Sequence, residues 1–287
     1  MRNYLNSSLC RLLLSLCLLG AFVPAWAESG LFWKAESSQS KDIYLFGTIH
    51  TDDNRVTNFS APVTEAIKAA DAFMMETLSP NNLGIFMMAE GDLRSMLTEQ
   101  ELEQVYALAE FHVMHRDAAL HMKPWLLAVV FDSPRPLTPF AQDNLLMTQA
   151  EGAGKQVIGI EDTQEHFGIM DSFTLDEQLI MLRAVLKRSA AEKEQGFALL
   201  VQAYLAGDSE AIAALDDKIT GNMLPKALWD KMRTKLVDDR NVVMAKRIIE
   251  EANTHKVFVA VGASHLAGQG GLLARLRAAG YRLSPLK

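Results

Sequence analysis

The sequence predicts an α/β protein whose mixed central sheet is built from N- and C-terminal strands, with a large helical insertion between them. Apolar runs at 43–46 and 72–75 flank a segment with helical features, and a third apolar run at 256–261 lies near the end of the chain. The residues between are mostly helical in pattern. Because a buried strand needs neighbours on both sides, we expect the late strand to pair with the early ones. Residues 28–287 would then form a single domain.

The first strands and the first long helix have clear boundary signals. The runs 31–33 and 43–46 are apolar and short, as buried strands are. Ser60 and Pro62 are typical of a helix start, and this helix should lead directly into the strand at 72–75. Strand, helix and strand in this order indicate a βαβ-type unit.

The middle of the chain is predicted to be mainly helical. Thr98 and Glu101 have the spacing of a capping box, in which two side chains satisfy the free N–H groups of a helix start. Residues 156–160 form a short apolar strand. Thr174 begins a long helix that the pattern carries through Leu205.

The C-terminal part returns to alternating helix and strand. A helical pattern at 225–253 is followed by the buried strand at 256–261. The helix at 272–277 should end at Gly280, a typical C-terminal stop. Residues 281–283 suit an edge strand.

The first 27 residues have the features of a secretory signal peptide. Arg2 and Arg11 supply positive charge, residues 12–23 form an almost wholly apolar core, and cleavage is expected after Ala27. The alternative is an uncleaved anchor, but the apolar run is shorter than the ~20 residues that a membrane span needs. The sequence therefore predicts an exported, periplasmic protein.

Cleavage would leave a mature chain, 28–287, without either cysteine. Cys10 and Cys17 both lie in the signal, and losing its two arginines takes the net charge from −7 to −9. Thiol catalysis and cysteine-ligated zinc are then excluded. The absence of a long basic run argues against nucleic acid as a partner. No further apolar run predicts a membrane anchor after cleavage, and the oligomeric state stays open.

Two of the predicted strands end in the same Gly-x-x-His pattern, at 47–50 and 262–265. Two further strands end at the carboxylates Glu76 and Glu161. Sites in open α/β sheets form beyond the carboxyl ends of the strands. Two histidines and one or two glutamates gathered there would suit a divalent metal ion with an open coordination position.

These segments resemble the TraB/GumN family, which is similar to the Tiki metalloproteases. The resemblance is carried by residues 44–50, 75–76 and 259–266, and it covers nearly all of the predicted mature chain. Further matching segments are 123–125, 159–161, Tyr204 with 207–208, 240–241, Gly268 and 270–273. The resemblance implies a mixed α/β fold with paired Gly-x-x-His motifs and a glutamate at the site. For the Tiki branch it implies metal-dependent peptide hydrolysis.

Carried onto this chain, the resemblance makes His50, Glu76 and His265 the leading metal-ligand candidates. Glu76 is also a catalytic candidate, and Glu161 is either a fourth ligand or the base that activates water. Arg240 either binds a substrate carboxylate or oxyanion or forms a structural salt bridge to Glu161 or Asp143. Histidine and carboxylate ligands allow Mn, Co, Zn or Fe.

The resulting hypothesis is an exported metal-dependent hydrolase, most consistent with a peptidase, whose partner is a peptide or small-molecule substrate. The alternative is a non-catalytic periplasmic protein that binds haem or a peptide in the same cleft.

Other polar residues give competing signals. His112 and His115 have a spacing that permits a second metal site, although it also arises by chance on a helix face. Asp53 could bind the metal, but turn preference favours a role in its loop. His166 and His255 are predicted to be surface residues.

Overall fold

The computed structural model describes residues 30–138 and 140–287. The predicted signal peptide, its cleavage site and both cysteines lie outside the described residues.

The described chain has one six-stranded mixed sheet, in the order β4-β3-β5-β2-β1-β6. The strands are β1 Phe32–Glu36, β2 Ile43–Thr48, β3 Ala72–Met75, β4 Gln156–Gly159, β5 Val257–Gly262 and β6 Arg282–Pro285. Strands β4, β3, β5 and β2 are parallel, whereas β1 is antiparallel to both β2 and β6. The late strand β5 thus lies between the early strands β2 and β3, and the predicted fold class is confirmed.

Helices connect and cover these strands. The α-helices are α1 Asn54–Thr57, α2 Ala61–Ala69, α3 Glu99–Phe111, α4 Arg116–His121, α5 Pro124–Asp132, α6 Gln142–Gly152, α7 Thr163–Asp171, α8 Leu175–Leu186, α9 Ala190–Leu205, α10 Ser209–Gly221, α11 Lys226–Arg233, α12 Asp239–Ala252 and α13 Leu272–Ala278. Short 3-10 helices occur at Leu83–Phe86, Leu93–Ser95 and Ala263–His265. A π-helical turn at Thr234–Asp238 joins α11 to α12. Within the described residues, none of these helices combines the length and apolarity that crossing a membrane requires.

Both faces of the sheet are covered, because successive side chains of a strand point to opposite sides. On one face, Val259 packs in a cluster with Met244 and Ile248 of α12 and Leu272 of α13. On the other face, Phe258 packs in a cluster with residues of α2 and α6, and its ring stacks on Phe73 at a centroid distance of 5.7 Å. A separate core, formed mainly within α3–α11, holds the helical insertion together. The sheet is therefore buried and rigid, which fixes the positions of its strand ends.

The long helix predicted from Thr174 through Leu205 is wrong in one respect, since it is two helices. Helix α8 ends at Leu186 and α9 begins at Ala190. Ser189 accepts a hydrogen bond from the backbone N–H of Glu192, and the Glu192 side chain accepts one from the backbone N–H of Ser189. This capping box starts a new helix, although the apolar periodicity that suggested a continuous one runs across the break.

Candidate metal centre

The candidate site lies where the four parallel strands end. Glu161 and Glu76 follow β4 and β3, and His265 and His50 follow β5 and β2. The strand register pairs Thr48 with Gly262, so the two Gly-x-x-His segments leave the sheet side by side. The predicted convergence at one edge of the sheet therefore has a direct cause in the parallel pairing.

The glycines of the two motifs allow close approach rather than an unusual backbone turn. Neither has a positive φ. A Cβ added at Gly47 would lie 2.8 Å from Leu266 Cδ1 and 3.1 Å from Ala263 Cα. At Gly262 the added atom would lie 3.2 Å from Oε1 of Glu76, an oxygen that accepts a hydrogen bond from the Gly262 N–H. A side chain at Gly47 would therefore press on the backbone of the neighbouring segment, and one at Gly262 would displace the Glu76 carboxylate slightly.

Arg240 of α12 lies at the centre of the site. Its Nη2 donates to Oε2 of Glu76 at 2.5 Å and to Oε2 of Glu161 at 2.8 Å. Its Nε donates to both Glu161 oxygens, at 3.0 and 3.1 Å. Its Nη1 lies 3.2 Å from Nε2 of His265. These contacts favour the structural salt bridge over the substrate-binding role, with Glu76 as a partner that the sequence did not suggest.

The two glutamates are ionised in this environment. Burial raises the pKa of Glu76, whereas the charges of Arg240 and His50 and the hydrogen bond from the Gly262 N–H lower it, with a net result well below the usual range. Burial likewise opposes ionisation of Glu161, but the hydrogen bonds from His166 and Arg240 lower its pKa overall. Two carboxylates and one guanidinium leave a charge of −1, so the cluster still favours a cation.

His265 is a neutral imidazole whose Nε2 lone pair faces Arg240. It is 6% exposed, and burial lowers its pKa to about 4 despite the nearby Glu76 carboxylate. Its Nδ1 lies 2.7 Å from Oδ1 of Asn241, an acceptor, so Nδ1 carries the proton. Nε2 is therefore an acceptor, and it lies 3.8 Å from Oε1 of Glu76. Ligating histidines are commonly oriented in this way by a partner of the other ring nitrogen.

His50 has a similar orienting partner but a different environment. Its Nδ1 lies 2.8 Å from Oδ2 of Asp143 in the first turn of α6, and its side chain is 70% exposed. The Asp143 carboxylate raises the pKa of His50 to about 9. The neighbouring Gln142 accepts a hydrogen bond from the backbone N–H of Ile49, which anchors the loop that carries His50. Among the described residues, no ion pair joins His50 to Glu76 and no hydrogen bond joins it to His265.

His166 is the site residue that the sequence missed. It is partly buried, and its Nδ1 lies 2.8 Å from Oε2 of Glu161. Together Glu76, Glu161 and His166 form a group whose potential ligand atoms lie within 4.8 Å of one another, and the described residues contain no other such group. The available signal was Asp162, which caps α7 and so places His166 in the first turns of a helix that begins beside Glu161.

The other candidate polar residues lie elsewhere. His112 ends α3, and His115 precedes α4. Asp53 caps α1 by accepting a hydrogen bond from the backbone N–H of Arg55, which is the loop role that turn preference favoured. His255 pairs with Glu251 on the surface of α12, as predicted for a surface residue.

Comparison with known proteins identifies the family to which this arrangement belongs. The model of the TraB/PrgY/gumN family matches residues 31–285. The chain belongs to this family. The matched range includes all six strands and every residue of the candidate metal centre, so the family resemblance drawn from the motifs is confirmed. A search of curated proteins finds no match to the chain.

Proposed function

We propose that this TraB/PrgY/gumN family member is a metal-dependent hydrolase that cleaves peptide bonds at the carboxyl ends of its parallel strands. The observation that carries the proposal is the group formed by Glu76, Glu161 and His166, whose potential ligand atoms lie within 4.8 Å of one another. Carboxylate oxygens and an imidazole nitrogen suit Mn, Co, Zn or Fe.

The side chains of Glu76, Glu161 and His166 suit a divalent ion, but Arg240 already occupies some of the carboxylate lone pairs. The guanidinium already donates to Glu76 and Glu161. An ion held by these carboxylates must share their oxygens with Arg240 or shift it. The lowered pKa of each glutamate suits it to hold a cation rather than to accept a proton, since a good general base titrates near the working pH. We therefore assign Glu161 as a ligand rather than as the base.

The two motif histidines have the hydrogen bonds expected of ligands. His265 donates from Nδ1 to Asn241, and Nδ1 of His50 contacts Asp143, so Nε2 is the ring atom of each that would bind an ion. To do so, Nε2 of His265 would exchange its contact with Arg240, and His50 would give up the proton that its raised pKa favours. His265 contacts the cluster directly, and we keep both histidines in the proposed ligand set with Glu76. A bound divalent ion would lower the pKa of a water molecule and polarise a carbonyl group.

The remaining residues hold this set in place. Arg240 aligns the two carboxylates and neutralises part of their charge, which makes it a positioning residue. His166, itself a potential ligand, also contacts Glu161, and Asn241 fixes the tautomer of His265. The exposure of His50 leaves that side of the site open to a peptide.

The proposed location is the periplasm, after removal of residues 1–27. N-terminal sequencing of the exported protein should begin at Glu28. An unprocessed N-terminus would contradict this part of the proposal.

The function is tested by peptide cleavage with and without metal. Wild type is incubated with a peptide library and each of Mn²⁺, Co²⁺, Zn²⁺ and Fe²⁺, and with EDTA, and products are read by mass spectrometry. We expect cleavage that EDTA abolishes, and a loss of roughly 100-fold or more in Glu161→Gln because one ligand charge is removed. His255→Gln, a histidine away from the site, is the matched control and should retain wild-type activity.

Cleavage that survives both EDTA and Glu161→Gln, or no cleavage with any ion, would contradict the proposal. In the latter case, peptide or haem binding without turnover would favour the non-catalytic alternative.

A further inference from the structure

A cavity of about 380 Å³ adjoins the candidate metal centre. His50 forms part of its wall. Met170 also lines it and lies one helical turn after His166 on α7. Met232 lines it from the continuous helical segment that carries Arg240. Three elements that carry residues of the metal centre therefore also supply part of the cavity wall, and His50 belongs to both.

The wall of this cavity is mostly apolar. Large apolar side chains from the helical insertion supply much of it, including Trp125, Met181, Val185, Leu200 and Met223. Protein sites for small ligands have volumes of roughly 300–1,000 Å³ and the same largely apolar lining. Methionine side chains are flexible, so the wall can adapt to occupants of different shape. The cavity is therefore suited to an apolar group with the volume of one or two large side chains.

The charged side chains of the cavity do not favour a charged occupant. Asp132, Arg188, Lys193 and Asp216 line it, and their formal charges cancel, while the charge of His50 is offset by its partner Asp143. Asp132 and Arg188 are already joined in an ion pair. A charged group that enters would lose hydration without meeting a net opposite charge, which is unfavourable.

We propose that this cavity is the specificity pocket of the metal centre and that it holds a large apolar side chain, such as leucine, methionine or phenylalanine, of the peptide substrate. The inference rests on the proposed hydrolase function and adds the substrate class to it. Since the wall touches His50 and neighbours His166 and Arg240 along their helices, a side chain in the cavity brings its own backbone to the metal centre.

The test uses binding, so that it does not depend on turnover. Four acetylated tripeptide amides, Ac-Ala-X-Ala-NH₂ with X as Leu, Phe, Asp or Lys, are titrated into wild type by calorimetry. Val129→Trp is the pocket variant, because Val129 lines the cavity yet is 55% exposed and so tolerates a larger side chain. Val242→Trp is the matched control, since Val242 is 52% exposed on α12 and lies outside the described cavity wall.

We expect the Leu and Phe peptides to bind wild type at least about ten-fold more tightly than the Asp and Lys peptides, as burial of a large apolar side chain predicts. Val129→Trp should lose this preference and Val242→Trp should keep it. Three results would each contradict the proposed pocket. They are equal affinity for all four peptides, no binding of any of them, and a preference that survives in Val129→Trp.

Cleavage of the same peptides, followed by mass spectrometry, separates the two proposals. An apolar binding preference without cleavage would contradict the hydrolase function and leave the pocket in place. Cleavage without a preference would leave the hydrolase function in place and overturn the pocket.

Discussion

Val113 ends helix α3 in a conformation that glycine adopts far more readily. Its φ is +58°, the one positive φ among the described non-glycine residues. The N–H of Met114 donates to Ala109 and that of Val113 donates to Glu110, which is the hydrogen-bond pattern of a Schellman cap. Gly207 has the same place at the end of α9, with a φ of +71°. The β-branched side chain of Val113 is therefore strained where glycine would not be.

We predict that Val113→Gly raises the free energy of unfolding by about 1 kcal/mol, because relief of the left-handed strain exceeds the entropy that glycine adds to the unfolded chain. Little packing is lost, as Val113 is 73% exposed. Gly207→Val is the reciprocal control and should lower stability, since open space surrounds its added side chain and the backbone alone opposes it. Urea unfolding measures both. A loss of stability in Val113→Gly would show that the side chain is needed.

His112 should make the fold sensitive to acid. Burial of the ring, reinforced by Lys193, lowers its pKa below the ordinary value of 6.5, and its buried Nε2 has no hydrogen-bond partner among the residues that the structure describes. The unfolded chain therefore binds the proton more readily, and the free energy of unfolding falls as the pH drops below about 6.5.

His112→Phe keeps the stacking on Phe131 but removes the titrating group. We expect its stability advantage over wild type to be larger at about pH 5 than at about pH 7.5, since only wild type then has a proton to gain on unfolding. Urea unfolding at the two pH values measures the difference, with the exposed His115→Phe as control. An identical advantage at both values would contradict this role of burial.

Some residues of the candidate site followed from the sequence and one did not. Glu76, Glu161 and His265 could be proposed because each directly follows an apolar strand, and parallel strands bring their ends together. His166 lies on a helix instead, so its proximity to Glu161 depends on the direction in which α7 leaves the sheet. That direction is set by tertiary packing and has no local sequence signature.

At the level of secondary-structure elements, close packing between β2 and the 3-10 turn that carries His265 is the feature most open to test. A Cβ at Gly47 would press against Leu266 and the backbone of Ala263. We predict that Gly47→Ala costs about 1–3 kcal/mol of stability, as overpacking does. It should also weaken metal binding, because the turn that positions His265 must move.

Gly152→Ala is the matched control, since an added Cβ there meets nothing within 4 Å. It lies in α6 and should gain up to about 1 kcal/mol from helix propensity. Urea unfolding and metal titration of the two variants separate the packing effect from the loss of a glycine. Unchanged stability and metal affinity in Gly47→Ala would contradict the close approach.

The ends of helices could be predicted from the sequence where a capping residue marks them. The capping box of Thr98 and Glu101 starts α3, and Gly280 follows α13, both as predicted. The break before α9 was missed because apolar periodicity continues across it while the Ser189 cap acts locally. Caps and periodicity gave opposite indications at this point, and the cap determined the structure.

For the whole molecule, the pairing of the late strand with early ones followed from one physical requirement. Strand β5 is apolar throughout and needed neighbours on both sides, which β2 and β3 supply. The packing of the helical insertion could not be predicted in the same way, because amphipathic helices can be arranged around one another in many ways. The cavity beside the metal centre is formed within that insertion, and hence its lining became visible only in the structure.

The central claim is that Glu76 and its neighbours bind a divalent ion. Calorimetric titration of wild type, Glu76→Gln and Glu65→Gln with Mn²⁺ and with Zn²⁺ tests it most directly, Glu65 being an exposed glutamate on α2. We predict one ion per chain in wild type and in Glu65→Gln, and an affinity at least about ten-fold weaker in Glu76→Gln, as the loss of a charged ligand requires. Absence of binding by wild type, or equal affinity in all three proteins, would contradict the metal centre.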